Sequence, residues 1–174
     1  MELWDVYDIN RNKLDKVIDR HSKEQLGIGE YHLSVEAFII NKRNEILISK
    51  RAEFKNKYPL LWECNGGAVQ SGETCKQAII RELKEELGVV LCDNEMLFYK
   101  EIRNDDSKMF KSIWIIQKDI DIDKLDLVDG EVIETKWVTI NELENMKRMN
   151  MVVPKMIINK EEFESILEII GGKG

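Results

Sequence analysis

At 174 residues, 43% hydrophobic and 34% charged, the chain has the composition of an ordinary globular protein, long enough to bury one real core. A formal net charge of −7 and a sequence pI near 5.1 argue against a nucleic-acid polymer as partner, because phosphate backbones recruit basic surfaces. Cys64, Cys75 and Cys92 are odd in number and lack Cys-x-x-Cys spacing, so neither a disulfide framework nor zinc is suggested, and a reduced, cytoplasmic compartment fits. The opening residues carry no basic segment followed by an apolar run, and no stretch approaches the roughly 20 apolar residues of a membrane helix, so neither a signal peptide nor a membrane partner is expected.

In chain order, Leu3 to Ile9 alternates as a strand, Asn10-Arg11-Asn12 reads as a turn, and Lys13 to Arg20 returns. This hairpin, about residues 1–20, precedes the core as an edge addition or as a specificity or dimer element. Residues 22–30 cross to the core as a loop. Leu33 to Ile40 is apolar and β-branched, Asn44-Glu45 marks a turn, and Ile46 to Ser49 completes a central hairpin. A basic stretch, Lys50-Arg51-Ala52-Glu53-Phe54-Lys55-Asn56-Lys57, follows, and Trp62 behind it is a core residue.

Residues 75–87 are an excellent helix: Thr74 and Gln77 form a capping-box pair, and Gly88 ends it in the left-handed conformation. Ile79, Ile80, Leu83 and Leu87 make the apolar stripe. Glu82, Glu85 and Glu86 share the adjoining face, while Gln77, Arg81 and Lys84 turn elsewhere. Three neighbouring carboxylates repel one another unless a hard cation such as Mg²⁺ or Mn²⁺, which prefers oxygen ligands, removes the cost.

Met96 to Glu101 and Met109 to Lys118 read as strands around the polar turn 104–107, with Trp114 in the core. Residues 119–129 alternate aspartates with Ile, Leu and Lys and lack an EF-hand spacing, so a solvated loop is expected. Glu131 to Val138 is the last core strand, Asn141 caps a helix to about Lys147, and Glu161 to Ile170 is an amphipathic helix packing Phe163, Ile166, Leu167 and Ile170. The tail 171–174 is expected to fray. With no repeat or linker, residues 1–174 form one domain.

Gly67, five residues, Glu73, seven residues, Arg81-Glu82-Leu83, one residue, Glu85-Glu86, one residue and Gly88-Val89 match the complete signature of the Nudix hydrolases, which the chain therefore resembles. The resemblance implies an α/β (α+β) fold, an α/β/α sandwich with a mixed central sheet and a loop-helix-loop signature. It makes Glu82, Glu85 and Glu86, with the carbonyl of Gly66, the ligands of Mg²⁺ or Mn²⁺, and gives Glu73 and Arg81 supporting roles in shaping the catalytic site. It also implies hydrolysis of a small-molecule diphosphate by attack of water at phosphorus, and family habit adds a homodimer.

Arg51 and Lys55 are the nearest cations for the substrate's phosphates, arginine being the better matched to phosphate oxygens. The general base is Glu131, Glu134 or a glutamate of the signature helix. Two alternatives stand beside the hydrolase. Tyr31-His32-Leu33, Lys50-Arg51-Ala52, Lys55, Pro59 and Trp62 are similar to type I isopentenyl-diphosphate isomerase, but Asn65-Gly66-Gly67 stands where that enzyme has a cysteine and a metal-binding histidine. A binding module that has lost catalysis would have no reason to keep three mutually repelling glutamates. His32 itself reads as a structural residue at a strand end.

Overall fold

The computed structural model describes residues 2–22, 25–127 and 130–172. Parts of the expected loops at 22–30 and 119–129 and the last two residues of the tail lie outside them. Strands β1 (Leu3–Tyr7) and β2 (Lys13–Asp19) form the hairpin that their alternation predicts, but as a separate two-stranded sheet rather than as an edge addition to the core sheet. The core strands are β3 (His32–Ile40), β4 (Ile46–Arg51), β5 (Trp62–Glu63), β6 (Asn65–Ala68), β7 (Met96–Asn104), β8 (Met109–Gln117) and β9 (Val132–Val138), with helices α1 (Cys75–Leu87), α2 (Ile140–Arg148) and α3 (Lys160–Gly171).

All nine residues of β3 are buried, because this strand is flanked on both edges and covered on both faces. It pairs in parallel with β8 along its whole length and antiparallel with β6, while β7 joins β8 antiparallel, giving the expected mixed sheet. Its even positions, with Phe38 and Ile40, meet Ile46, Ile48, Leu143 and Met146 of α2 and Phe163 and Ile166 of α3. Its odd positions, Leu33, Val35, Ala37 and Ile39, meet Ala78, Ile79, Leu83 and Leu87 of α1. The period-two alternation of the strand and the apolar stripes of the helices thus fix an α/β/α sandwich.

The central hairpin differs from its expected form. β3 and β4 share a single rung, Ile40 with Ile46, where Asn41 Oδ1 accepts from the backbone N–H groups of Arg43 and Glu45. Beyond that tip β4 takes β9 and β5 as neighbours. The two halves of the sheet therefore part toward the end where Arg51 and the 62–68 segment lie, because the glycine-rich β6 follows β3 more closely than β4 does.

Helix α1 follows its sequence: Gln77 N–H donates to Thr74 Oγ1 at 3.2 Å, Thr74 N–H donates to Gln77 Oε1 at 2.9 Å, and Gly88 adopts φ 67°. For α2 the cap is Thr139 rather than Asn141. Thr139 forms its own capping box with Glu142, which a search for the Asx or Ser/Thr nearest the apolar stripe overlooks. A short 3₁₀ turn, Ile122–Lys124, interrupts the aspartate-rich loop. Trp62 is buried as expected. Trp114 is only half-buried, edge-on to the exposed Phe98, and its Nε1 has no partner among the described residues.

The hairpin is fastened to the sheet at the start of β3. Tyr7 and Tyr31 exchange backbone hydrogen bonds of 2.8 and 2.9 Å, and Trp4 stacks on His32 with ring centroids 4.0 Å apart. Burial disfavours the imidazolium and lowers the His32 pKa to about 4, against a smaller upward pull from the Leu33 carbonyl contact. The folded state therefore holds His32 neutral while the unfolded chain binds a proton below about pH 6.5. Stability should fall as pH drops from 6.5 toward 4, by up to about 3 kcal/mol from this group. Denaturation of the wild type and His32→Phe across that range checks it: the variant should show the shallower decline.

Candidate active site

The site is built on α1 and on the glycine strand before it. β6 lies antiparallel to β3, with Gly66 opposite Glu36 and Gly67 opposite Val35. A methyl on Gly66 would overlap the Val35 carbonyl oxygen and crowd the Glu36 Cα, while one on Gly67 would overlap the Glu82 carboxylate. The two glycines thus meet different needs. The first lets strand approach strand; the second lets a carboxylate lie against bare backbone.

Around them Arg81 gathers the acidic residues, where the helical-wheel expectation turned it elsewhere. Its Nε and Nη2 donate to the two oxygens of Glu73 at 2.9 Å each, and Nη2 also reaches the Ala68 carbonyl at 3.0 Å. Nη1 donates to Glu82 at 2.8 Å and to Glu85 at 3.1 Å. The length and fork of the side chain allow this: a wheel places Cβ atoms, while a guanidinium reaches back across a helical turn. Burial disfavours the guanidinium's charge, but hydrogen bonding to Glu73 and the charge of Glu82 outweigh it and raise the Arg81 pKa. Burial raises the Glu82 pKa; Arg81 opposes that rise and neighbouring Glu85 adds to it. Glu85 is the exposed member, its side chain 53% accessible against 15% for Glu82, and Glu86 is buried.

Among the described residues no three His, Cys, Asp or Glu side chains converge at metal-ligand spacing. The donor set nevertheless fits a hard cation. It consists of carboxylate oxygens, it sits on successive turns of one capped helix, and Glu82 occupies the space that only a glycine at 67 leaves. Glu82 and Glu85 are held by Arg81, whose charge offsets their repulsion meanwhile.

The cations expected to meet phosphate are engaged within the protein. Arg51, at the end of β4, is ion-paired with Glu63 and donates through Nε to the Lys57 carbonyl at 3.0 Å. Lys55 is ion-paired with Glu131, and Lys50 lies 3.4 Å from Glu134. The structure thus couples one candidate base, Glu131, to one candidate phosphate ligand, Lys55.

Behind Arg51, on the α2–α3 side of the sheet, lies a pocket of about 130 Å³ lined by Glu36, Tyr58, Glu63, Cys64, Lys111 and Lys155 among others. Glu36 is ion-paired with Lys111 through one oxygen, and its buried Oε1 has no partner among the described residues. Burial raises the Glu63 pKa against the pull of Arg51. Neither glutamate figured in the sequence reading. A lone glutamate inside the apolar run 33–40 was the available signal for Glu36.

Comparison with known proteins identifies the family. Residues 30–159 match the NUDIX domain family model. An uncharacterized Nudix hydrolase of Listeria innocua is 32% identical over 168 residues, covering 92% of this chain and 93% of its own. Isopentenyl-diphosphate Delta-isomerase 1 of Photorhabdus laumondii is 31% identical over 105 residues, covering 58% of this chain and 56% of its own. A Deinococcus radiodurans protein of known crystal structure superposes with a TM-score of 0.74 at 22% identity, over 87% of this chain and 92% of its own, which shows a common fold.

The family match and the Nudix hydrolase relatives make this protein a pyrophosphohydrolase. The chain belongs to the Nudix family, whose members generally use divalent metal ions and act on small-molecule diphosphates. No helix among the described residues is long and apolar enough to cross a membrane.

Proposed function

We propose that this protein hydrolyses a phosphoanhydride bond of a nucleoside diphosphate linked to another moiety, or of a similar diphosphate compound, with Mg²⁺ or Mn²⁺ held by Glu82, Glu85, Glu86 and the Gly66 carbonyl. The observation that carries the reading is the acidic face of α1 seated against Gly67 and already gathered by Arg81. When bound, the metal would neutralise phosphoryl oxygens and lower the pKa of a water. Arg81, tied to Glu73, keeps Glu82 and Glu85 oriented. Arg51 and Lys55 exchange Glu63 and Glu131 for substrate phosphate oxygens. Glu131, Glu134 or a glutamate of the signature helix accepts a proton from the attacking water.

A panel of diphosphate compounds incubated with Mg²⁺ or Mn²⁺ in ¹⁸O-labelled water tests this. Label should enter a phosphate-containing product. A panel that stays intact with both metals would refute the reading.

Arg51→Ala should weaken productive substrate binding by about tenfold, the value of one charge-assisted contact, and leave metal affinity unchanged. Equal losses in metal and substrate binding would instead make Arg51 a structural partner of Glu63. The measurement is KM beside a Mn²⁺ titration.

The partial likeness to an isomerase favours one further check. Isopentenyl diphosphate kept in heavy water with the protein should gain no deuterium in its carbon skeleton. Deuterium uptake with the diphosphate intact would promote double-bond migration over hydrolysis.

A further inference from the structure

The N-terminal hairpin lies before the region that the family model matches, yet it holds the signature loop directly. The Leu3 carbonyl accepts the Ser71 N–H at 2.7 Å. Asp5 Oδ1 accepts the Ser71 hydroxyl at 2.7 Å, and Oδ2 accepts the Gly72 N–H at 3.0 Å and Lys13 Nζ at 2.7 Å. Asp5 is 6% exposed, so its carboxylate is committed to these donors rather than to water. Gly72 adopts φ 81°, a left-handed turn that a side chain disfavours, and the two hydrogen bonds from Ser71 and Gly72 to one carboxylate hold that turn in place.

The contact continues inward. Glu73 closes the same turn, its N–H donating to the Gln70 carbonyl at 3.0 Å while its carboxylate accepts the Gln70 N–H at 3.0 Å. The two oxygens of Glu73 then take the paired donors of Arg81, and Arg81 holds Glu82 and Glu85. Every link from the hairpin to the acidic helix is a charged or backbone hydrogen bond of 3.1 Å or less.

We propose that Asp5 is a positioning residue for the metal site: it fixes the Ser71–Gly72 turn, the turn fixes Glu73, and Glu73 through Arg81 sets Glu82 and Glu85 in the geometry that receives a divalent cation. This rests on the reading of Glu82, Glu85 and Glu86 as metal ligands. Burial pulls the Asp5 pKa up, but the donors from Gly72, Lys13 and Ser71 together bring it below the usual carboxylate value, as expected of an anion that the fold keeps charged. Asparagine in its place keeps the shape but not the charge: its Oδ1 can take Gly72 and Lys13 and its amide can donate to the Ser71 hydroxyl, so the turn loses the charge assistance of these contacts.

Two measurements on the full chain decide it, for the wild type, Asp5→Asn, Glu73→Gln and the double variant. The first uses metal-free protein: the Arg81 Nε–H, followed by NMR, should exchange with solvent about tenfold faster in Asp5→Asn, since the turn opens more often. The second is Mn²⁺ affinity from the EPR signal of free Mn²⁺. Asp5→Asn should weaken it about tenfold, the loss typical of a group that orients a ligand. The double variant should then be no weaker than the worse single one, because both changes break the same chain of contacts.

Should Asp5→Asn fold poorly, Ser71→Ala removes one donor and leaves Lys13 and Gly72 on the carboxylate. It should shift both readouts the same way by two- to threefold. Unchanged Arg81 exchange in folded Asp5→Asn, or losses that multiply in the double variant, would overturn the positioning role. A wild type that binds no Mn²⁺ would refute the metal site itself, and with it this assignment, whatever the exchange arm reads.

Discussion

Glu85→Gln and Glu86→Gln are each expected to lower turnover by about two to three orders of magnitude, the scale on which a single preorganised charge acts in a phosphoryl-transfer site. Mn²⁺ affinity should fall with it. Neither change alters side-chain volume, so the helix, held by its Thr74–Gln77 box and its Gly88 terminus, should form as before. Metal-free stability should hold within about 0.5 kcal/mol for Glu85→Gln: the exposed residue gives up one i,i+4 pair with Arg81 and relieves its repulsion of Glu82. Thermal unfolding with and without Mn²⁺ separates the two effects, since a ligand that binds only the folded state stabilises it by linkage. Unaltered Mn²⁺ affinity and turnover in both variants would sink the assignment.

The second large effect divides between adjacent glycines. Gly66→Ala drives a methyl into the Val35 carbonyl and the Glu36 Cα, both backbone atoms of the central strand, so something rigid has to shift. Overpacking of this kind costs about 1–3 kcal/mol and occasionally more, and here the upper end or beyond is expected because β3 is locked on both edges. The atoms that Gly67→Ala meets first are those of the Glu82 carboxylate, the far end of a side chain that can rotate away. Its stability should change by less than about 1 kcal/mol, while turnover falls about a hundredfold as Glu82 leaves its place. Chemical denaturation and single-turnover kinetics read the contrast. A Gly66→Ala protein as stable as the wild type, or a Gly67→Ala protein with unchanged turnover, would refute this division of roles.

Much of this was legible in the residues because it depends on local rules. The α1 boundaries follow from capping chemistry, the burial of β3 from an apolar run, and the acidic face from helical periodicity. The misreadings share a different cause. A helical wheel treats Arg81 as a direction, whereas its guanidinium went to the nearest carboxylates within reach. A turn between two apolar strands implied a full hairpin, but whether β3 and β4 stay together depends on β6, β8 and β9, which compete for their edges. Asp5 gave no signal because an acidic residue in an alternating edge strand is ordinarily solvated. Its partners, Ser71 and Gly72, are far along the chain. Glu36 was passed over as part of an apolar run, and only the packed structure says that one of its oxygens has no partner among the described residues.

The parallel pairing of β3 with β8 also governs how the chain is made. Residues 32–40 find their partners at 109–117, so during synthesis the spine of the sheet waits for about half of the chain to be added. At translation rates of 5–20 residues per second the wait is on the order of ten seconds. For that time Leu33 to Ile40, a β-branched apolar run, is without its main partner on the growing chain and open to pairing with copies of itself. Glu36 stands in the middle of it. A charge there is the gatekeeper that limits such association, so the glutamate that lines the finished pocket also protects the unfinished chain.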